Sequence, residues 1–390
     1  MGRRSLRCGL IILMVMAAPT ALGGDVGLTL TGFGTLGLAR SSDDSAEFVR
    51  DLSQSHGLQE EWRFETDSLL GIQANLTLGQ DVAAVIQAVS RDNPYESFAP
   101  DVTWAFLRYD PSPDWTIRAG RLGTEFYMLA DSRMVGYTYL TVRPPVDYYG
   151  SLPFDFIDGL DVALVHPLAG GLLETKVFAG VSRQTSPWDD LQYSLSGTLL
   201  VGGYLDFRDG PWQIRLGHIG VRFEHDLPVE DFYRALPEET ANELRLAGHW
   251  TGFTSLGLVY DASPFQAQFM LSRTTNEQAT LEDTWAGYLI ASYRLGDVTP
   301  FLGLSAAKSE RKRPSHPIPG YTDAYQANFG NDQKTFFVGG RWDFMPNLCL
   351  KAQVDLVRGT SDSRFLYRWE TPGNWDGTMT VFSLALDFVF

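Results

Sequence analysis

The sequence predicts an all-β protein: a transmembrane antiparallel up-and-down β-barrel of about 16 strands, with long external loops and short periplasmic turns. Three observations lead to this fold class. Apolar residues recur at every second position, the alternating segments run for about nine to thirteen residues, and very short connections alternate with long ones. About ten residues let a tilted strand cross a membrane, whereas a soluble β-sandwich has shorter strands and similar connections throughout.

The carboxy-terminal segment shows the alternation most clearly. Its apolar positions are separated by small or polar ones, and they are Phe382, Leu384, Leu386, Phe388 and Phe390. Residues 265–272, 335–344 and 348–357 repeat the pattern, with polar residues on the second face of the first segment and charged residues on that of the other two. Because successive side chains of a strand point to opposite faces, we expect one face to contact lipid and the other to line a lumen.

The connections fall into two length classes. Short turns are expected at residues 79–81, 110–114, 166–171, 209–211, 262–264, 296–297 and 345–347. Long polar loops are expected at residues 39–66, 92–101, 123–158, 183–194, 225–247, 274–283, 308–334 and 358–377. Such an asymmetry between the two ends is typical of membrane barrels. Aromatic residues stand beside the short turns, as a girdle at the membrane boundary requires, and they are Trp115, Trp212, Phe265, Trp342 and Phe344.

The amino-terminal segment has the form of a cleaved secretory signal peptide, which we place at residues 1–23. A basic start is followed by an apolar run of about fifteen residues and by small residues near Gly23. Residues 24–390 are then expected to form a single barrel. Loss of three arginines would change the net charge from −16 to −19. Cys349 would remain as the one cysteine, so no internal disulfide is expected.

Composition and motifs speak against several other functions. A strongly acidic chain is a poor partner for nucleic acid, whose phosphates need lysine and arginine. The six histidines are scattered, with no metal-ligand spacing and no nucleophile motif nearby. We therefore expect no enzyme activity, no cofactor and no metal.

The first strand, the last residue and the strand count together resemble the Gram-negative outer-membrane porin superfamily, of the 16-stranded trimeric type. The opening segment 28–34 reads LTLTGFG, and the chain ends on Phe390. The resemblance implies a water-filled channel in the outer membrane for passive diffusion of small polar solutes or ions, and a homotrimer. It also implies that the alternating residues 382–390 are the signal for the barrel assembly machinery. Lipid and lipopolysaccharide are expected partners. The basic cluster at residues 311–313 is a candidate for binding lipopolysaccharide phosphates; alternatively, it is a solvated run of charge.

The third long loop, residues 123–158, is the expected constriction, because porins fold this loop into the lumen. It is rich in aromatic residues, which favours a loop packed on an inner wall over an ordinary external loop. It lacks the Pro-Glu-Phe-Gly-Gly-like motif of many porins, the nearest stretch being LPFD at residues 152–155. The candidate constriction residues are Glu125, Asp131, Arg133, Arg143, Asp147, Asp155 and Asp158.

Strand parity supplies candidates for the pore wall. They are Arg118, Lys176, Arg215, Arg222, Arg341 and Lys351, with Arg222 lying beyond a shift of the pattern at residues 217–218. Wall cations facing loop carboxylates would create a transverse field that selects solutes by charge; alternatively, the pairs neutralise each other. The sequence leaves open a non-conducting barrel for adhesion or structure, a substrate-specific porin and a barrel enzyme.

Overall fold

The computed structural model describes residues 20–22, 26–188, 191–361, 363, 367–369 and 375–390. The expected signal peptide at residues 1–23 lies outside the described residues, apart from the short strand Thr20–Leu22, which pairs with the start of the next strand. The expected loop at residues 358–377 is described only in part.

Sixteen antiparallel strands form a closed barrel, as predicted. In chain order, β1 to β16 are Val26–Ser41, Leu69–Leu78, Val82–Arg91, Asp101–Ser112, Trp115–Gly123, Phe156–Leu168, Gly171–Val181, Leu199–Asp209, Trp212–Arg222, Trp250–Ala262, Phe265–Asn276, Asp283–Tyr293, Val298–Glu310, Asp332–Met345, Leu348–Gly359 and Thr378–Val389. Two further short pairs lie in the connections: Ala46–Phe48 with Tyr367–Trp369, and Thr185–Trp188 with Leu191–Ser194.

Strand β1 closes the sheet. Its first part pairs with β2, in a register that runs from Val26 opposite Leu78 to Thr35 opposite Leu69. Its second part pairs with β16, from Phe33 opposite Val389 to Ser41 opposite Val381. Closure leaves the backbone groups of the wall bonded to neighbouring strands, which a lipid environment requires.

The connections alternate as the sequence indicated. The turns are residues 79–81, 113–114, 169–170, 210–211, 263–264, 294–297 and 346–347, and the loops are residues 42–68, 92–100, 124–155, 182–198, 223–249, 277–282, 311–331 and 360–377. Three loops are shorter than expected by at least four residues because the flanking strands extend further. Residues 308–310 belong to β13 and residues 332–334 to β14. Residues 274–276 belong to β11, and residues 156–158 belong to β6.

The outward face carries the apolar belt that strand parity predicted. Leu289 of β12 and Leu302 of β13 are 49% and 53% exposed, whereas the inward Tyr288 and Phe301 beside them are buried. The outward residues Trp115, Trp212, Phe265 and Trp342 near the short turns are exposed as well, and Phe344 packs on Trp342 with ring centroids 5.2 Å apart.

Helices occur only as short pieces of the loops among the described residues. They are α1 Val146–Tyr149, α2 Glu230–Arg234, α3 Glu238–Leu244, α4 Tyr321–Gln326 and a 3₁₀ turn Gly136–Thr138. Within the part of the chain that the structure describes, no helix is long and apolar enough to span a membrane.

Candidate functional site

The third loop, residues 124–155 and hereafter L3, lies inside the barrel. Its first limb contacts the wall on β7 to β10. The backbone oxygen of Phe126 accepts a hydrogen bond from Ser255 at 3.2 Å, and that of Tyr127 accepts one from Arg215 at 3.5 Å. A loop that contacts inward-facing wall residues so closely narrows the lumen.

Glu125 begins the first limb and bonds to wall cations. Its carboxylate lies 2.9 Å from the ammonium of Lys176 and 2.8 Å from the guanidinium of Arg118, and the hydroxyl of Tyr204 donates to it at 2.7 Å. Burial alone would raise the pKa of Glu125, but the charges of Lys176 and Arg118 lower it from 4.5 to about 2. The side chain is therefore an anion over the physiological range.

Asp131 differs from Glu125 because its side chain is exposed to the lumen. Burial of its surroundings, reinforced by the nearby Glu125 carboxylate, raises the pKa of Asp131. It makes no ion pair within 4 Å of any cation among the described residues. The carboxylate of Asp131 therefore has no cationic partner among the described residues.

The middle of L3 docks on β1, β15 and β16 at a buried ion pair. Lys351 and Asp387 are fully buried and lie 2.9 Å apart. The ammonium of Lys351 also donates to the backbone oxygens of Gly136 at 2.6 Å and Thr141 at 3.0 Å. Because the ammonium of Lys351 is buried and bonded to these three partners, it anchors L3 to the wall and is not exposed to the lumen.

Arg143 forms the next anchor and is 1% exposed. Its Nε donates to Asp67 at 2.8 Å, its Nη1 to Asp355 at 3.2 Å and its Nη2 to Ser383 at 2.7 Å. Asp67 comes from the first long loop, while Asp355 and Ser383 lie on β15 and β16. The guanidinium therefore joins L3 to another loop and to the wall.

Helix α1 places Asp147 and two tyrosines against the opposite wall. Ser305 donates to the carboxylate of Asp147 at 2.6 Å, and Gln333 donates to its other oxygen. The hydroxyls of Tyr149 and Tyr288 lie 3.2 Å apart, and Tyr288 donates to Gln268 at 3.4 Å. Burial raises the pKa of Asp147, with these hydrogen bonds opposing it.

Four tyrosine rings form a buried cluster inside the barrel, which we call the tyrosine septum: Tyr127, Tyr148, Tyr149 and Tyr288. Ring centroids lie 4.7 Å apart for Tyr127 and Tyr148, and 5.3 Å apart for Tyr148 and Tyr288. All four rings are buried. Their mutual edge contacts make a continuous aromatic layer between L3 and β12.

Arg133 and Asp155 of L3 form an ion pair with each other, and Asp155 also pairs with an arginine outside the loop. Arg91 of β3 lies 2.8 Å from both Asp51 and Asp155, and Arg133 also pairs with Asp155. Burial would raise the pKa of Asp51, but the charge of Arg91 lowers it below the usual range. Arg133 and Asp155 are thus held in a network that joins L3 to the first long loop.

The five candidate wall cations that face inward are all ion-paired. Besides Lys176 and Lys351, Arg118 pairs with Asp161, Arg215 lies 2.7 Å from Asp206, and Arg341 lies 2.7 Å from Asp343. The structure thus corresponds to the alternative in which the charges of the wall and of L3 largely neutralise each other.

Two candidates occupy different places from those expected. Arg222 is exposed on the outward face of β9, since Arg215, Gly217, Ile219 and Val221 take the inward positions. Its assignment to the pore wall was wrong, because the alternation continues unbroken through residues 217–218. Asp158 belongs to β6, not to L3. It faces outward, 2.8 Å from Arg121 and 3.0 Å from Arg183, because Asp161 of the same strand faces inward.

Two cavities border different parts of L3. The outer chamber, about 400 Å³, is lined by L3 residues 151–154, by β9 to β12 and by external loops, and the inner vestibule, about 700 Å³, is lined by Gln266, Gln268, Arg294 and Arg341 with the short turns. No described residue lines both cavities. On β12, Ala286 borders the chamber, and Tyr288 follows it on the inward face.

Several residues of the site were missed by sequence reasoning. Asp67 and Asp387 are the buried acids that anchor Arg143 and Lys351. Asp387 lies on the inward parity of the last strand and could have been found from that signal, whereas Asp67 lies in a loop without periodicity. No group of three or more metal-ligating side chains occurs among the described residues.

The solved structures that superpose on this chain include an outer-membrane channel and a porin. The channel DcaP of Acinetobacter baumannii superposes with a TM-score of 0.60 at 11% identity, covering 96% of this chain and 100% of that one. OmpF of Salmonella typhi gives 0.58 at 12% identity, covering 94% and 98%. An anion-selective porin from Comamonas acidovorans gives 0.55 at 12% identity, covering 94% and 100%.

Sequence comparison adds no relatives, since no protein-family profile and no curated sequence matches the chain. At such low identities the structural similarity establishes a porin-type fold, and nothing finer. The site itself has to carry the functional argument.

Proposed function

We propose that this protein is an outer-membrane channel of the porin type that passes small polar solutes or ions through a lumen constricted by L3. The position of L3 carries the proposal, because the loop lies inside the barrel and borders both the outer chamber and the inner vestibule. A barrel serving only as a scaffold has no need of such a loop. We propose no catalytic activity for the site.

The outer surface supports a place in the outer membrane of a Gram-negative bacterium. An apolar belt with aromatic residues beside the short turns matches a hydrocarbon layer and its boundary. In the same proposal, the alternating residues 382–390 serve as the signal for the barrel assembly machinery, lipopolysaccharide surrounds the external rim, and the protein assembles as a homotrimer.

The tyrosine septum favours a second candidate, a barrel that does not conduct and serves adhesion or structure. Its rings are buried and in mutual contact, so a solute can pass only beside them or after L3 moves. Conductance separates the two functions.

The decisive experiment is single-channel recording of the purified protein in a planar lipid bilayer. Stable current steps, in groups of three for a trimer, are expected of the channel. A silent bilayer with protein whose heat-modifiable migration shows a folded barrel would refute the channel and favour the non-conducting barrel. Liposome swelling with sugars of increasing size would then measure the constriction of a conducting protein.

A further inference from the structure

The outer chamber has a floor of aromatic rings. Phe126 and Phe154 of L3 stack with an interplanar angle of 9° and centroids 5.9 Å apart, and Phe253 of β10 meets Phe126 edge-on at 5.9 Å. All three rings border the cavity. Aromatic surfaces of this kind offer stacking and edge contacts to a planar apolar group.

The sides of the chamber continue this apolar surface. Phe223, Leu227 and Leu246 of the loop at residues 223–249 line it, together with Phe329 of the loop at residues 311–331. The volume of about 400 Å³ lies within the ~300–1,000 Å³ of small-molecule pockets, which are typically apolar with a few polar groups. A hydrated ion gains little from such walls.

The charges of the chamber exclude anions. Its described lining contains no lysine, arginine or histidine, but it contains the carboxylates of Asp147 and Glu282. Glu282 is offset by Arg311 at 3.2 Å, whereas Asp147 is held by the neutral donors Ser305 and Gln333. An anion would lose hydration here without meeting a cation, which is costly.

We infer that the outer chamber binds neutral or cationic amphipathic solutes with an apolar body of one or two aromatic rings or similar size. The inference deepens the proposed function and rests on it, since it names the class of solute that the channel concentrates above its constriction. The apolar walls select for an apolar body, and the absence of cationic side chains from the described lining selects against anions.

Three probes of matched size test the inference by calorimetric titration of the protein in lipid nanodiscs, with empty nanodiscs as the blank. They are 2-phenylethylamine, 2-phenylethanol and phenylacetate. We expect the amine and the alcohol to bind at least about tenfold more tightly than phenylacetate, because only the anion must lose its hydration unpaired. Equal binding of phenylacetate, or no binding of the amine and the alcohol, would overturn the inference.

A pair of substitutions on β12 locates the binding. Ala286 borders the chamber, whereas Ala291 of the same strand faces outward. Ala286→Phe should fill the chamber and weaken amine binding at least about tenfold, while Ala291→Phe should leave it unchanged. Heat-modifiable migration shows that both variants fold. Unchanged binding in Ala286→Phe, or an equal loss in both variants, would contradict a site in this chamber.

Recording from the same preparation keeps the two proposals apart. Binding with the expected charge order but without current would refute the channel and leave the chamber with its ligand class. Current without binding would refute the chamber as a binding site and leave the channel. Neither result depends on the other, because calorimetry requires no transport.

Discussion

Buried ion pairs hold L3 against the inner wall of the barrel. Arg143 is 1% exposed between Asp67 and Asp355, which are also buried. Such a pair contributes little when it forms, because both ions lose hydration, but removing one partner leaves a buried charge uncompensated. The effect of these ion pairs on the free energy of unfolding is therefore largest when a substitution removes one partner.

Arg143→Met should lower the free energy of unfolding by about 3–5 kcal/mol, since Asp67 and Asp355 would remain buried without their cation. Urea unfolding of the protein in phospholipid vesicles measures this. Arg234→Met is the matched control: Arg234 is 70% exposed in its ion pairs, and exposed pairs contribute about 0–1 kcal/mol. Equal effects of the two substitutions would contradict an anchoring role for Arg143.

Glu125→Gln should make stability less dependent on pH. The pKa of Glu125 falls from 4.5 to about 2 on folding, so its contribution is complete above pH 4.5 and is lost as the pH falls towards 2. The stability difference between wild type and Glu125→Gln should therefore be largest near neutral pH and shrink over that window. A difference that stays constant from pH 7 to pH 2 would show that the charge of Glu125 does not matter.

At the scale of elements, strand alternation and loop docking obey different rules. Successive side chains of a strand point to opposite faces, so an alternation of apolar and polar residues within each short segment identifies the strand and its faces. The turns and the faces of β1 to β16 therefore follow from the sequence. Arg222 was wrongly assigned to the pore wall because Gly217 interrupts the apolar-polar alternation of the sequence. The strand itself continues through this residue without a change of face. L3 has no period, and its path depends on what the wall presents.

Gly136→Ala should loosen L3 and raise single-channel conductance. A Cβ at residue 136 would overlap the carboxylate of Asp387 and the hydroxyl of Thr35, so the loop has to retreat from the wall. Gly340→Ala provides the control, since a Cβ there meets no atom within 4 Å. Conductance that is unchanged in Gly136→Ala would mean that this contact does not set the constriction.

Two neighbouring residues of β11 test the faces of the barrel. Phe269 faces outward and is 38% exposed, whereas Gln268 borders the inner vestibule. Phe269→Arg should cost about 2–4 kcal/mol of unfolding free energy near the middle of the bilayer, and Gln268→Arg much less, because water reaches the lumen. Urea unfolding in vesicles compares them, and a reversed order would mean that the faces are misassigned.

At the scale of the whole molecule, the balance of charge is acidic. The chain has a net charge of −16, and the five candidate wall cations that face inward are ion-paired. Asp131 adds an exposed carboxylate in the lumen. A net negative charge attracts cations to the protein and repels anions.

The channel should therefore prefer cations at low salt and lose that preference as salt is added. The Debye length falls from about 10 Å at 0.1 M to about 3 Å at 1 M ionic strength. At the higher salt concentration, the surface charges of the protein therefore no longer attract cations from a distance. Reversal potentials under salt gradients around these two concentrations measure the change. Asp131→Asn should reduce the preference in both, and an anion preference at low salt would contradict the prediction.

The sequence by itself determined the barrel, its turns and loops, and the parity of most wall residues, because the lipid-facing alternation is a local property of each strand. Only the tertiary structure decided the partners of the charges and the outer chamber. Arg143 and Asp355 are separated by 212 positions in the sequence, yet the guanidinium of Arg143 donates a hydrogen bond to the carboxylate of Asp355. Such contacts depend on barrel closure and on the route of L3, which no local pattern encodes.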